Sequence, residues 1–227
     1  IIRGGEEITL FDTPLLLCRN GGLSLEQRII KRIFDIVVSA VGVVALSPVM
    51  LLIALAIKID DGGRIFYKQK RLTIDAREFY VYKFRSMIAD AEKDGVPRLA
   101  TDKDSRVTRV GKFLRKCRLD ELPQLINILK GDMSIVGPRP ERPELTEKYE
   151  REMPEFKFRL KVKAGLTGYA QVTGVYDTTP YDKLKMDLMY IEKYSFVMDL
   201  RIVLMTIKTM IFPGEMNSKL KKLKGKK

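Results

Sequence analysis

The sequence predicts an α+β protein held on one side of a membrane, and three observations carry that expectation. Residues 36 to 57, IVVSAVGVVALSPVMLLIALAI, run twenty-two positions without a charge. Basic residues stand on both sides of that run. Two aromatic, β-like runs follow it, and beyond them apolar residues recur at helical spacing.

The chain opens on GGEEITLFDTPLLLCRNGG, which reads as a strand with a turn and a Gly-Gly break. With no initiating methionine, residues 1 to 27 read as the tail of a preceding domain or a linker. The uncharged run comes next. At about 1.5 Å per residue it reaches roughly 33 Å as a helix, enough to cross a bilayer. It starts more than thirty residues in and has no small-residue cleavage site, so it does not read as a signal peptide.

Two features turn this segment back on itself. Ser47-Pro48 sits at its centre, where proline removes a backbone donor and its ring crowds the preceding turn; the Ser47 hydroxyl can satisfy part of what is lost. Arg28, Lys31 and Arg32 lie before the run, and Lys58, Arg64, Lys68, Lys70 and Arg71 after it. Two basic flanks are best satisfied with both ends on the cytoplasmic side. Residues 28 to 60 are therefore expected to form a kinked, re-entrant helix, with a spanning helix as the alternative. Asp35 lies one turn from Lys31 and Arg32, where pairing can neutralise it, or it is an ordinary interfacial charge.

Residues 61 to 212 form the body. IFYKQKR and EFYVYKF, joined by LTIDA, predict a small hairpin, and residues 86 to 106 read as a polar surface loop around Gly95-Val96-Pro97. Residues 109 to 129 are helical by pattern. PELTEKYEREMPEFKFRLKV is charged and part helical, and KAGLTGYAQVTG is a Gly-rich, strand-like loop. In YIEKYSFVMDLRIVLMTIKTMIF, Met198, Ile202, Met205 and Thr209 fall on one side and Leu200, Leu204, Ile207 and Ile211 on another. That pattern fits an amphipathic helix at a membrane surface, or a buried core helix. Residues 213 to 227 are a basic tail, able to add about 1 kcal/mol per charge near anionic headgroups.

Composition excludes whole classes of chemistry. There is no histidine, which removes Ser-His and Cys-His catalysis and the usual zinc ligand. Cys18 and Cys117 are far apart and fit no metal spacing, so they read as free thiols. A net charge of +13 and a pI near 9.7 point to an anionic partner: nucleic acid, acidic lipid or phosphorylated substrate.

Within RLDELPQ, residues 118 to 124, two carboxylates stand beside each other. Leu122, Leu125, Ile126 and Leu129 form a helical stripe closed by Gly131, which places Asp120 at the N-cap and Pro123 in the first turn. A helix start alone explains that much. The setting adds Arg109, Lys112, Arg115, Lys116 and Arg118 before it and VGPRPERPE after it. Carboxylates held ionised by a helix end among cations suit magnesium binding and attack on phosphorus.

These residues carry a resemblance. KRIFD (31 to 35), Ser47-Pro48, YKFRSM (82 to 87), RLDELPQLINILKGDMSIVGPRP (118 to 140) and GLTGYAQVTG (165 to 174) are similar to the bacterial sugar transferases of the monotopic phosphoglycosyl transferase family, over residues 28 to 212. The resemblance implies a cytoplasmic catalytic domain at residues 61 to 212, at the bacterial inner membrane. It implies transfer of a sugar-1-phosphate from a UDP-sugar to polyprenyl (undecaprenyl) phosphate, the first membrane step of exopolysaccharide, O-antigen or glycan assembly.

In that reading Asp120 is the nucleophile that carries the phosphosugar as UMP leaves, and Glu121 helps hold Mg²⁺. Arg115 binds phosphate, and Pro138, Arg139 and Pro140 match the motif for the uridine nucleotide. Lys31, Arg32 and Asp35 mark the membrane boundary; Ser47 and Pro48 break the helix. Leu72-Thr73 stands where many relatives have Val-Gly, and Arg118 where some have a small polar residue. A magnesium-dependent hydrolase or phosphatase and a membrane-anchored nucleic-acid-binding scaffold are the competing readings. The resemblance implies no nucleic-acid partner and leaves a homo-oligomer open.

Overall fold

The computed structural model describes residues 6–10, 13–17, 22–88, 91, 104–174 and 179–211. Strands β1 (Glu6–Leu10) and β2 (Thr13–Leu17) pair antiparallel, so the opening segment is a two-stranded hairpin. Cys18, most of the 86–106 loop and the basic tail lie outside the described residues.

Helix α1 (Leu25–Asp61) begins at a capping box: Ser24 Oγ accepts from the Gln27 amide, and the Gln27 side chain accepts from the Ser24 amide. It ends at Gly62, whose φ of 67° is the left-handed turn that glycine adopts at little cost. Helix persists through Pro48. The proline leaves the Val44 carbonyl without its backbone donor, and Ser47 Oγ donates to that oxygen at 2.8 Å. The expected compensation is thus the one observed, inside a single continuous helix.

One face of α1 packs on the body along its length. Lys31, Asp35 and Ser39 are buried in the first half, where Phe34, Val38, Val43 and Leu46 also meet the main core; Ile53 and Ile57 are buried in the second half against Phe84 and Leu114. Successive contacts fall three or four residues apart, as one helical stripe requires. Ile33, Val37, Val41, Val44, Leu51, Leu52, Leu55 and Ile59 are exposed on the remainder. The helix is long and apolar enough to cross a membrane, with a mean hydropathy of 2.6 over its most apolar 18 residues.

Strands β3 (Phe66–Leu72) and β4 (Glu78–Phe84) form the predicted hairpin, antiparallel with Phe66 opposite Phe84 and Leu72 opposite Glu78. Thr73, in the turn after β3, is fully buried. Its hydroxyl donates to the Asp132 carbonyl at 2.8 Å and accepts from the Ala164 amide at 3.1 Å, which gives the Leu72-Thr73 departure a structural role.

The stretch expected to be helical from 109 to 129 is divided. Thr108 caps α2 (Arg109–Lys116) by accepting from the Gly111 amide. Arg118 then takes a left-handed φ of 56°, residues Leu119–Glu121 make one 3₁₀ turn, and α3 (Gln124–Lys130) follows, closed by Gly131 at φ 90°. Pro123 is the physical reason: it has no N–H to give the Leu119 carbonyl, which bonds instead to the Leu122 amide in the tighter turn.

Beyond α3, β5 (Ser134–Val136) pairs parallel with β6 (Gly165–Thr167). Between them lie α4 (Pro143–Glu152) and a 3₁₀ segment at Pro154–Lys161; after them come α5 (Tyr169–Thr173), α6 (Pro180–Glu192) and α7 (Phe196–Ile211). The architecture is α+β, with three two-stranded sheets among the described residues. On α7, Asp199 and Ile202 face the core, while Val197, Leu200, Leu204 and Ile207 are exposed. The buried-core alternative thus holds for one face, and the other face is apolar and exposed.

Candidate functional site

Three elements meet at the one-turn helix that carries the paired carboxylates. Asn127 on α3 reaches the edge of β4, accepting from the Tyr82 amide at 3.0 Å and donating to the Tyr80 carbonyl at 2.8 Å. This sets Lys83, the next residue of β4, beside Glu121. Lys83 Nζ and Arg139 Nη2 both donate to Glu121 Oε1, at 2.9 Å and 2.7 Å.

Arg139 is aimed by its loop. Arg71 donates to the Pro140 carbonyl at 3.1 Å, and Arg159 donates to the Arg139 carbonyl at 2.9 Å. Arg159 is itself buried and held by two bonds to Asp187 Oδ2 on α6, at 2.7 Å and 3.0 Å. The glycines of the two Gly-rich motifs let this loop close against β6: a side chain at Gly137, Gly165 or Gly168 would collide with backbone of the other strand or loop.

The result is a cavity of about 540 Å³ walled mainly by charge. Lys83, Arg115, Arg118, Arg139, Arg159 and Lys183 line it together with Asp120, Glu121, Glu141, Asp187 and Gln171. Cations outnumber the carboxylates available to them, which suits a di- or polyphosphate ligand.

The two adjacent carboxylates have different environments. Burial by itself raises Glu121, yet the charges of Arg139 and Lys83 and the hydrogen bonds they donate outweigh it and hold the carboxyl far below its ordinary range. Asp120 goes the other way. Burial pushes its pKa above the ordinary 3.8, Lys83 and Arg115 only partly offset this, and neighbouring Glu121 adds to the rise. No ion pair engages Asp120 among the described residues. It is the carboxylate left open to the cavity, whereas Glu121 is fixed in place.

This corrects the N-cap expectation. Asp120 stands in the 3₁₀ turn, four residues ahead of α3, and the N-cap position is Pro123. The helix end is not what tunes it; burial and neighbouring charge are.

Of the residues named from sequence, Asp120, Glu121, Arg115 and Arg139 come together in this cavity. Pro138 and Pro140 flank Arg139 and line a small adjoining pocket. Lys31, Arg32 and Asp35 sit elsewhere, where α1 meets the far end of α3, and Ser47 and Pro48 are exposed midway along α1. The expected pairing of Asp35 with Lys31 or Arg32 is replaced by longer-range bonds. Asp35 Oδ1 accepts from Ser134 Oγ and the Ile135 amide, Lys31 pairs with buried Asp199 at 2.5 Å, and Arg32 donates to the Ile128 and Leu129 carbonyls. Facing neighbours on β5, α7 and α3 offer better geometry than the next turn of the same helix.

Sequence reasoning missed Lys83, Glu141, Arg159, Gln171, Lys183 and Asp187. Lys83, Glu141 and Gln171 lie inside the quoted YKFRSM, VGPRPERPE and GLTGYAQVTG blocks, which was the available signal. Arg159, Lys183 and Asp187 belong to no quoted motif.

Magnesium can be weighed against the same donors. Among the described residues there is no cluster of three or more Asp, Glu, Cys or His. Mg²⁺ takes one or two carboxylates and completes its shell with water and phosphate oxygens; with Glu121 Oε1 held by Lys83 and Arg139, the carboxylate oxygens left for such an ion are Glu121 Oε2 and those of Asp120.

Fold and site together present a cation-walled cavity built beside a long apolar helix. The chain belongs to the bacterial sugar transferase family, whose model matches residues 26–213. It is 42% identical over 185 residues to a UDP-N-acetylgalactosamine-undecaprenyl-phosphate N-acetylgalactosaminephosphotransferase of Aeromonas hydrophila, covering 80% of this chain and 44% of the relative. It is 41% identical over 211 residues to the UDP-glucose:undecaprenyl-phosphate glucose-1-phosphate transferase of Escherichia coli K12, covering 91% and 44%. An exopolysaccharide production protein of Rhizobium leguminosarum is 37% identical over 196 residues, covering 82% of this chain and 98% of the relative. The chain thus spans less than half the length of the first two and nearly all of the third.

Proposed function

We propose that this chain transfers a sugar-1-phosphate from a UDP-sugar to polyprenyl phosphate, in two displacements at Asp120. The observation that carries the reading is the open Asp120 carboxylate in a cation-walled cavity, beside a Glu121 fixed by Lys83 and Arg139. The names of the relatives, which join UDP-sugars to undecaprenyl phosphate, support both substrates.

In the first displacement an Asp120 oxygen attacks the phosphorus next to the sugar, and the bond from that phosphorus to the UMP oxygen breaks. UMP departs with the electron pair. The enzyme then holds an acyl phosphate to sugar-1-phosphate. In the second, an oxygen of polyprenyl phosphate attacks the same phosphorus and the Asp120 carboxylate leaves, giving a polyprenyl diphosphate sugar. Neither step needs histidine, because the nucleophile and the acceptor phosphate are already anionic.

Arg115, Arg118 and Lys183 attract and orient the phosphates, and Arg139 presents the nucleotide end. Arg159 and Asp187 act through Arg139 as positioning residues. Glu121 would hold a magnesium ion with the substrate phosphates; when bound, that ion offsets phosphate charge and makes phosphorus more electrophilic. The identity of the sugar differs between the relatives and is not part of the proposal.

For topology the reading is re-entrant, with the site on the cytoplasmic face of the inner membrane. Both halves of α1 dock on one body: Arg32 binds the end of α3, and Asp61 at the other end pairs with Arg85 of the segment after β4. A helix crossing the bilayer would carry its two ends to opposite sides, so contact with one body favours return to the same side.

The test is radiolabelled transfer in membranes. Label is expected to enter the lipid fraction with UMP release that depends on added polyprenyl phosphate. UMP release at full rate with water as the acceptor refutes transfer and leaves hydrolysis.

A further inference from the structure

At the far end of α3 from Asp120, a second cavity of about 400 Å³ opens between the first turns of α1 and residues 161–163. Its walls combine two chemistries. Ile29 and Ile33, both more than half exposed, give an apolar side continuous with the outer face of α1. Arg28, Arg32, Lys161 and Lys163 give the other.

These four cations have no carboxylate of a described residue within ion-pair distance. Arg28 Nε donates to the Leu23 carbonyl, and Arg32 spends both terminal nitrogens on the Ile128 and Leu129 carbonyls; all are neutral acceptors that leave the charge uncompensated. Lys161 lies 4.9 Å from the Phe158 ring centre. Arg32 and Lys163 both come within 4 Å of one point beside Gly131, so like charges crowd together. Burial, then Arg32, pushes the Lys163 pKa down, as expected of an ammonium lacking a counter-ion. The two carboxylates that act on Lys163 are engaged elsewhere: Asp35 accepts from Ser134 and Ile135, and Asp132 pairs with Arg77.

The geometry points to a binding site for the phosphate of an anionic membrane phospholipid, its acyl chain lying along Ile29 and Ile33. An amphiphile answers both walls at once, and the site sits where the apolar helix begins, at headgroup depth. It is not the transfer site. Seven residues of α3, about 10 Å of helix, separate its arginine from the turn that carries Asp120. The inference rests on α1 entering the membrane.

The experiment places the full chain in phosphatidylcholine nanodiscs with and without phosphatidylglycerol, exchanges it into mild detergent, and counts retained lipids by native mass spectrometry. Wild type is expected to retain phosphatidylglycerol at least about fivefold above its share of the disc. Lys161→Gln with Lys163→Gln should lose that enrichment, while the corresponding double arginine variant and Lys148→Gln, on the exposed face of α4, should keep it. Absence of enrichment in wild type, or equal enrichment in the glutamine variant, overturns the site while leaving the membrane reading intact. Displacement of phosphatidylglycerol by undecaprenyl phosphate assigns the cavity to the acceptor and overturns the phospholipid. Failure to enter phosphatidylcholine discs at all refutes the membrane reading and this site with it.

Discussion

Two charge clusters, one at each end of α3, use the same residue types to opposite ends, the first buried and the second half-exposed. Near the α1 start, Lys31 pairs with Asp199, Asp199 accepts from the Tyr190 hydroxyl at 2.7 Å, and Asp35 accepts from Ser134 and Ile135. Every acid there has its donors, and Asp35 and Asp199 are almost wholly enclosed. At the other end Glu121 Oε1 is held by both Lys83 and Arg139, but Asp120 beside it faces an open cavity. The closed cluster joins α1 to α7 and β5; the open one keeps a carboxylate available. What separates the two clusters is not the presence of acids but whether one of them is left without a side-chain partner among the described residues.

The comparison breaks most sharply at Asp120. Asp120→Asn keeps the shape and removes the proposed nucleophile, so transfer should fall at least about 10³-fold, some 4 kcal/mol of barrier, with thermal stability held or slightly raised because a half-buried charge is gone. Full transfer by that variant would place the nucleophile elsewhere. Transfer assays alongside thermal unfolding in detergent separate the two effects.

Asp199→Asn should do the reverse. Leaving Lys31 buried without its counter-ion is expected to cost about 3–5 kcal/mol of stability, read as a lower unfolding midpoint in denaturant. Activity per folded molecule should change far less. Adding Lys31→Met to an Asp199→Leu background should recover much of the loss, since an apolar pair removes both charges together. If Asp199→Asn is as stable as wild type, the boundary cluster does not lock α1.

The smallest effect is in pH dependence. In the proposed mechanism Asp120 acts when ionised, and its pKa is raised above the ordinary 3.8, so the transfer rate should fall with decreasing pH at values where an ordinary aspartate is still charged. Glu121, held far lower, stays ionised throughout that fall. Lys83→Met removes the nearest offsetting cation and should move the limb to higher pH. A limb at or below the ordinary carboxylate value would mean that burial does not tune Asp120.

Much of the frame was legible in the sequence because it is local. The hairpin of residues 66 to 84, α1 with its Ser47-Pro48 compensation, the 3.6-residue stripe of α7 and the glycine stop of α3 all follow from spacing and turn chemistry. The Asp120-Glu121 pair was legible too, through adjacency and the basic residues around it. The N-cap assignment failed because a proline three residues on redirects one hydrogen bond, and a side-chain pattern does not reveal which carbonyl goes without its donor.

The sequence alone therefore determined which segments coil, which extend and where two carboxylates stand together, since these depend on neighbours within a few positions. Only the tertiary structure decided which carboxylate is free. That outcome depends on Lys83 from β4 and Arg139 from the loop after β5 converging on Glu121, with Arg159 and Asp187 holding the loop from elements further along the chain. No periodicity connects those positions; only packing brings them within hydrogen-bond reach.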